Sequence, residues 1–568
     1  MQGLGTSPGI GMGKVFLYIE PEMNIEKKDI QDIDEELKHL ENGLNTSKDE
    51  IDNLYKKTLE SIGEEKAEIF MAHKMMLDDP EFINGIKERI SNQKINAEWA
   101  VKETADSFIS LFENIEDEYL KARAADLKDV SNRLLRALLD IESVDLASIN
   151  EDSIIVAEDL TPSDTAEMNK DMVVGFITEL GGRTSHTSII ARTLEIPAIA
   201  GVENATKSVK HGDYMIIDGS TGEIFVNPED EVIETYRAKL EEIKEFKEKL
   251  KSVIGEKSIS KDGHQVELAG NIGTPADIDK VLENDGEGVG LFRTEFLYMN
   301  SDKMPSEEEQ FNAYKEVAEK LGDRPLVIRT LDVGGDKEIP YLSLPKEMNP
   351  FLGYRAIRLC LDRLDIFKTQ LRAIYRASNF GNIRIMFPMI SNIKELRDAK
   401  KVAAEVREEL RNENIPFDEN VQLGIMVEIP AVAVHSQAFA KEVDFFSLGT
   451  NDLIQYTVAV DRGNQTISHL YNQYHPAVLR LIKMTIDNGH KAGIWVGMCG
   501  EVAGDEKLIP VLLGMGLDEF SMSASSILKS RYLIKNTSKK EMETMIDTIL
   551  DLPTAEDVEE FIDKNILK

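Results

Sequence analysis

Hydrophobic and polar positions change texture several times along the chain. Within residues 1–20 a strand-like run, Val15-Phe16-Leu17-Tyr18, follows the turn residues Ser7-Pro8-Gly9 and the glycines Gly11 and Gly13. From about 26 to 142 the apolar residues fall at spacings of three and four, as in Leu127, Val130, Leu134, Leu135 and Leu138. The stretch is rich in Glu, Lys and Leu and almost free of Gly and Pro. That periodicity puts one apolar stripe along each helix and predicts an all-helical insertion. Short apolar runs return at 153–157, 173–177, 198–200 and 214–217, with turns at Asp218-Gly219 and Thr221-Gly222. They read as strands, and the first strand is expected to join them in one discontinuous α/β domain. Residues 231–254 form a charged helix with Val232, Tyr236, Leu240, Ile243, Phe246 and Leu250 on one stripe, read as a connector.

From 265 onward short apolar strands alternate with helical segments. The strands are expected at 266–272, 288–294, 326–330, 383–388, 423–428, 444–448, 494–498 and 516–521. Eight strands separated by helices match a (β/α)8 barrel of the TIM type. The competing arrangement is an open doubly wound sheet, but no Gly-rich nucleotide turn follows the first of these strands. The boundaries expected from sequence are 1–24 with 143–230 for the discontinuous domain and 25–142 for the helical insertion. A linker helix at 231–260 and a barrel at 261–568 complete the division.

Composition narrows the function classes. A chain of 568 residues, 42% hydrophobic, exceeds one core and has ample apolar content to fold. The first residues lack a basic stretch followed by an apolar run, so no secretory leader is expected. No segment approaches the ~20 uninterrupted apolar residues of a membrane helix. Two cysteines, Cys360 and Cys499, cannot build a disulfide framework and suit a reducing cytosol. A net charge of −37 argues against nucleic acid as a partner and suits a basic protein steered in by long-range attraction.

Two regions carry candidate chemistry. The run GGRTSHT at 181–187 leads into an apolar helix, with Thr184 or Ser185 as its cap and His186 in its first turn. Free N–H groups and the positive dipole end favour an anion there, so an imidazole could accept a phosphoryl group. Alone, the run reads more readily as a polar residue near a helix cap, since short motifs match by chance. The second region is the set of C-terminal strand ends in the barrel, where such folds place reactive groups. They carry Arg293-Thr294-Glu295, Arg329-Thr330-Leu331-Asp332, Glu428, Asn451-Asp452 with Arg462 beyond, and Cys499. Arginines there suit a dianionic phosphate and a carboxylate. Glu428 and Asp452 suffice to hold Mg²⁺ when substrate oxygens and water complete its shell. Cys499 is placed as a general acid, while Cys360 belongs on a helix and reads as packing.

These motifs resemble the Enzyme I family of the bacterial sugar phosphotransferase system, the phosphoenolpyruvate–protein phosphotransferases. The resemblance runs over essentially the whole chain: Ser7-Pro8-Gly9-Ile10, residues 117–126, GGRTSHTSIIAR at 181–192, GVGLFRTEF at 288–296, RTLDVGGDKE at 329–338, NPFLGYRAIR at 349–358, SLGTNDLIQYTVAVDRGN at 447–464 and GMCGE at 497–501. It implies that His186 is the phosphorylated histidine, through its Nε2, with Thr165 orienting it. Cys499 is then the proton donor. Arg293, Arg329, Asn451, Asp452 and Arg462 would contact phosphoenolpyruvate, Arg355 would lie on its phosphate side, and Glu428 with Asp452 would hold Mg²⁺. The resemblance further implies the carrier protein HPr as phosphoacceptor, docked on the helical insertion, and a cytoplasmic homodimer formed through the barrel. Pyruvate phosphate dikinase and phosphoenolpyruvate synthase carry similar parts, but they need a large ATP-binding domain, and the region before the histidine holds no nucleotide-binding glycine loop. A non-enzymatic module that only binds phosphoenolpyruvate is disfavoured by the full set of Arg, Glu, Asp and Cys.

Overall fold

The computed structural model describes every residue except 20–22, 62–63, 114–117, 142–145, 147–148, 162–163, 166–167, 183–184, 195, 300, 302, 335–338, 343, 346, 465 and 567–568. The chain forms two compact units, Met1–Lys244 and Glu245–Lys568. Among the described residues no helix is long and apolar enough to cross a membrane.

In the first unit seven strands make one sheet: β1 (Leu4–Ser7), β2 (Ile10–Tyr18), β3 (Ser153–Ala157), β4 (Val173–Thr178), β5 (Ala198–Ala200), β6 (Tyr214–Asp218) and β7 (Glu223–Val226). Their spatial order is β1-β5-β4-β3-β2-β6-β7. The start of the chain supplies two strands where the sequence pattern indicated one. Gly9, at φ 125°, turns the chain after Pro8, and β1 then pairs antiparallel with β5 at the sheet edge while β2 pairs parallel with β3. Only a residue without a Cβ takes that φ at little cost. Within β2, a Cβ on Gly11 would lie 2.3 Å from the Val174 carbonyl oxygen, and one on Gly13 would lie 2.4 Å from that of Asp152, so both close approaches require glycine. β7 has no counterpart in the sequence pattern, which marked only the turn Thr221-Gly222 just before it; it closes a hairpin on β6.

Between β2 and β3 run the helices Ile33–Ser61, Glu64–Asp78, Pro80–Gln93, Ala97–Glu113 and Glu118–Leu139. Their shared core includes Leu40, Phe70, Ile86, Val101 and Leu134, none more than 1% exposed. The third begins in the favoured way: Pro80 occupies the first turn, and the Asp79 carboxylate accepts from the N–H groups of Glu81 and Phe82 at 2.8 and 3.0 Å. Helix Asp230–Lys251 contains the division between the units.

The second unit is a closed barrel of eight parallel strands: β8 (Glu267–Ile272), β9 (Gly288–Phe292), β10 (Pro325–Arg329), β11 (Asn382–Phe387), β12 (Gln422–Val427), β13 (Phe445–Leu448), β14 (Trp495–Met498) and β15 (Glu519–Met522). Closure settles the choice between barrel and open sheet. The last strand begins three residues later than its apolar run indicated. Gly516, at φ 93°, is the left-handed cap of helix Leu508–Met515 and belongs to that helix end. Outward-facing strand residues such as Val289, Ile328, Ile385, Ile425, Phe446 and Val496 pack under the surrounding helices. Leu291, Val327, Met386, Met426, Phe445 and Cys499 form a separate cluster with the half-buried Trp495 packed against it.

Candidate active site

In the first unit, helix His186–Thr193 is capped by Ser185. The Ser185 Oγ accepts from the Ser188 N–H at 3.4 Å and donates to the Gly182 carbonyl at 2.9 Å, while Gly181 takes φ 94°. Of the two expected caps, Ser185 therefore fills the role; Arg183 and Thr184 lie outside the described residues, as does the side chain of His186. The helix is tied down by Thr187, whose Oγ1 donates to the Leu160 carbonyl at 2.9 Å. The following turn is held from β2: Asp164 accepts from the Tyr18 hydroxyl at 2.7 Å and from the Thr161 N–H and hydroxyl at 2.8 and 2.9 Å. Thr165, 2% exposed, donates to the Thr161 carbonyl at 3.3 Å. These contacts fix the backbone on one flank of the histidine-bearing helix.

In the second unit the C-terminal strand ends build a charged cluster. Arg329, at the end of β10, is buried and ion-pairs with Glu295 and, at 2.9 Å, with Asp332. Arg355 is buried too: its Nε and Nη2 reach Asp332 at 3.2, 2.9 and 3.0 Å, and Nη2 reaches Asp452 at 3.4 Å. Asp332 thus bridges the two guanidinium groups. Its role and that of Glu295 had no assignment from sequence, although both stand in the quoted motifs. The signal was available in the spacing, since Arg329 and Asp332 lie three apart just past a strand end, but pairing partners are a matter of closure and not of spacing.

Glu428, 1% exposed, follows β12, and its Oε1 accepts from the Met389 N–H at 2.5 Å. Burial raises its pKa, the nearby Asp452 and Asp332 carboxylates raise it further, and Arg329 and Arg355 oppose them. Asp452 is 7% exposed with Oδ1 lacking a hydrogen-bond partner among the described residues. Two buried carboxylates that repel each other, one with a vacant oxygen, form a donor set suited to a hard divalent cation. Among the described residues no group of three or more His, Cys, Asp or Glu side chains makes a ready metal cage. A cation here would therefore depend on substrate oxygens and water for the rest of its shell.

The remaining barrel residues singled out from sequence stand at or beyond strand ends: Arg293 follows β9, Asn451 and Arg462 follow β13, and Cys499 follows β14. Asn451 is exchanged with Glu501 on both sides, Nδ2 donating to its carboxylate at 3.2 Å and Oδ1 accepting its N–H at 3.1 Å. Arg293 and Arg462 are exposed. Cys499 is 2% exposed in the inner cluster, and its Sγ lies 3.8 Å from the Leu448 carbonyl. Burial pushes the thiol up to about 12, with Ser447 opposing and Glu519 adding to the shift. Cys360 is buried on helix Ile357–Asp362. Arg329, Arg355, Glu428 and Asp452 are thus joined in one buried cluster, and Asn451 lies next to Asp452 in sequence.

Three family comparisons cover the chain in order. Residues 2–123 match "PEP-utilising enzyme, N-terminal", 149–222 match "PEP-utilising enzyme, mobile domain", and 247–539 match "PEP-utilising enzyme, PEP-binding domain". The phosphoenolpyruvate-protein phosphotransferase of Priestia megaterium is 52% identical over 562 residues, covering 99% of this chain and 98% of that one. The protein of the same name from Bacillus subtilis is 51% identical, covering 99% of each. That from Staphylococcus aureus is 49% identical over 567 residues, covering 100% of this chain and 99% of the other. A solution structure described as Enzyme I is 44% identical, covering 43% of this chain and 99% of that one at a TM-score of 0.40. With near-complete coverage at about half identity, the chain belongs to the phosphoenolpyruvate-protein phosphotransferase family.

Proposed function

We propose that this enzyme moves the phosphoryl group of phosphoenolpyruvate to its own His186 and then to a histidine of HPr, releasing pyruvate. The observation that carries the reading is the buried cluster in which Asp332 holds Arg329 and Arg355 beside the carboxylates Glu428 and Asp452. Phosphoryl transfer asks for positioning and charge stabilisation more than for covalent chemistry, and a desolvated pair of arginines supplies both. Arg329 and Arg355 bind the phosphate, Arg293 and Arg462 close over substrate from exposed positions, and Asn451 orients it. Mg²⁺, held by Glu428 and Asp452, would neutralise the negative charge shared by phosphate and carboxylate. His186, oriented by Thr165, attacks phosphorus in line; the bond from phosphorus to the enol oxygen breaks and leaves enolpyruvate. Cys499, protonated because burial holds its proton tightly, gives that proton to the methylene carbon.

The division into a discontinuous His186 domain (1–24 and 143–230), a helical HPr-docking insertion (25–142), a linker helix (231–260) and a substrate barrel (261–568) belongs to the same reading. So do assembly as a homodimer through the barrel and action in the cytoplasm. Mixing the enzyme with phosphoenolpyruvate and Mg²⁺, with and without HPr, tests the whole scheme. Pyruvate should appear as one equivalent without HPr and catalytically with it. His186→Ala should abolish acid-labile phosphorylation while phosphoenolpyruvate still binds the barrel. Stable label on that variant would refute the assignment.

A further inference from the structure

The barrel interior carries a polar seam that the reading above leaves unused. Glu519, on β15, is 3% exposed, and its Oε1 has no hydrogen-bond partner among the described residues. Two glycines make room for it. A Cβ on Gly290 would lie 1.8 Å from Oε1, and one on Gly497 would lie 2.0 Å from Oε2. Gly497 is the cross-strand neighbour of Glu519 and stands two residues before Cys499 on the same side of the chain. The carboxyl therefore sits one rung, roughly 6.6 Å along the strand, from the thiol position. Ser447, 1% exposed, pairs across to Gly497 from the other side. The Ser521 hydroxyl adjoins the Gly290 site, and it hydrogen-bonds Asn271 at 2.6 Å, whose Nδ2 donates to the Cys499 carbonyl at 3.0 Å.

The lower end of the seam reaches water. Glu267 pairs with Glu519 across β8 and β15 and is only half-buried, as are Arg384, Gln422 and Trp495 near the starts of other barrel strands. Arg384 lies over the Trp495 ring at 4.8 Å, and that ring stacks on Phe445 at 4.5 Å. Burial raises the Glu519 pKa well above the ordinary carboxyl value, Glu267 adds to this, and Arg384 opposes it. A buried carboxyl with nothing to bond one oxygen is costly unless it is kept neutral. A neutral carboxylic acid one rung below a thiol that must regain a proton every cycle is a donor in reserve.

We propose that Glu519 reloads Cys499, passing it a proton drawn from the base of the barrel at Glu267. The inference rests on Cys499 being the proton donor. The steps balance. Cys499 loses its proton to enolpyruvate carbon and becomes thiolate. The Glu519 O–H bond breaks as the S–H bond forms, through the Ser447 or Ser521 hydroxyl. The Glu519 carboxylate, facing Arg384, then takes a proton from water by way of Glu267.

Glu519→Gln in the full-length enzyme separates this from a packing role. Cys499 starts each experiment protonated, so the first turnover of pyruvate release should match wild type within about twofold. Steady-state turnover with HPr should fall about a hundredfold, the low end for loss of a proton-transfer group, while KM for phosphoenolpyruvate stays within about twofold. Glu267→Gln, at the half-buried base, should show the same split with a smaller loss, and it decides the matter if Glu519→Gln does not accumulate as folded protein. Equal losses in the first and later turnovers, or no loss in either variant, would overturn the relay. Cys499→Ala distinguishes the two layers: slow turnover in that variant with normal Glu519→Gln and Glu267→Gln rejects the relay alone. Normal turnover in Cys499→Ala rejects the role of Cys499 itself, and the relay with it.

Discussion

Around Arg329 and Arg355 the paired carboxylates Glu295, Asp332 and Asp452 are all less than a tenth exposed, and charge answers charge. The helix that begins at His186 is fixed by hydroxyl contacts instead, from Ser185, Thr187 and the Tyr18–Asp164–Thr161 turn. Under the proposed function the contrast follows from what each unit would handle. A barrel that stabilises a trianionic substrate gains from desolvated cations whose places are already set, because no reorganisation is needed at the moment of transfer. On the proposed reading, a histidine that takes up a phosphoryl group and hands it on gains from a helix whose backbone is already held in place.

The largest effect should come from the barrel chemistry. Cys499→Ala should slow turnover about 10²–10⁴-fold, the usual contribution of a general acid, with phosphoenolpyruvate binding largely intact. In deuterated water the wild type should deliver hydrogen to one face of enolpyruvate, and the variant should lose that preference. Unchanged facial selectivity would reduce Cys499 to a packed strand residue. Because burial pushes the thiol up to about 12, ionisation of Cys499 should not appear as a falling limb in the pH–rate profile at moderately alkaline pH.

Asp332→Asn strikes the electrostatic side of the comparison directly. It strips both buried guanidinium groups of a shared partner, and breaking a buried pair this way costs about 3–5 kcal/mol. KM for phosphoenolpyruvate should rise sharply and Tm should fall; an unchanged KM would mean that the pairing is structural only.

Salt sharpens the other side. If the charge of −37 draws in a basic acceptor, raising ionic strength from low to physiological should slow association with HPr more than dissociation, since exposed charges are screened beyond ~10 Å at 0.1 M. A salt-independent association rate would make the docking face apolar. The smallest effect belongs to Tyr18→Phe, which removes one hydrogen bond to Asp164, worth about 1 kcal/mol. Phosphorylation of His186 should slow about fivefold with KM for phosphoenolpyruvate unmoved. A shift in that KM would contradict the separation of roles.

Much of the barrel was legible because each strand is a short buried apolar run closed by a polar residue, as at Ile328-Arg329 or Val427-Glu428. Such runs announce themselves locally. What stayed hidden depends on residues far apart in the chain. The split of β1 from β2 rests on a single glycine turn and on β5 waiting some 190 residues later. Arg329 and Arg355 could be placed at the mouth, but the carboxylate between them became visible only when closure brought the loop after β10 back upon itself. Glu519 was invisible for a related reason: a carboxyl in a strand reads as solvent-facing until its neighbours Gly290 and Gly497 are seen to make a hole for it.

The pairing of β2 with β3 and β6 also has a consequence for how the chain is made. The β2 residues leave the ribosome long before Ser153–Ala157 and Tyr214–Asp218 exist to cover them. The helices between Ile33 and Leu139 need nothing from later in the chain to form their core. Synthesis therefore delivers a finished helical bundle while the sheet that flanks it in sequence is still waiting for five of its seven strands, and the exposed edges of β2 in that interval are the point where the nascent protein is most open to wrong pairing.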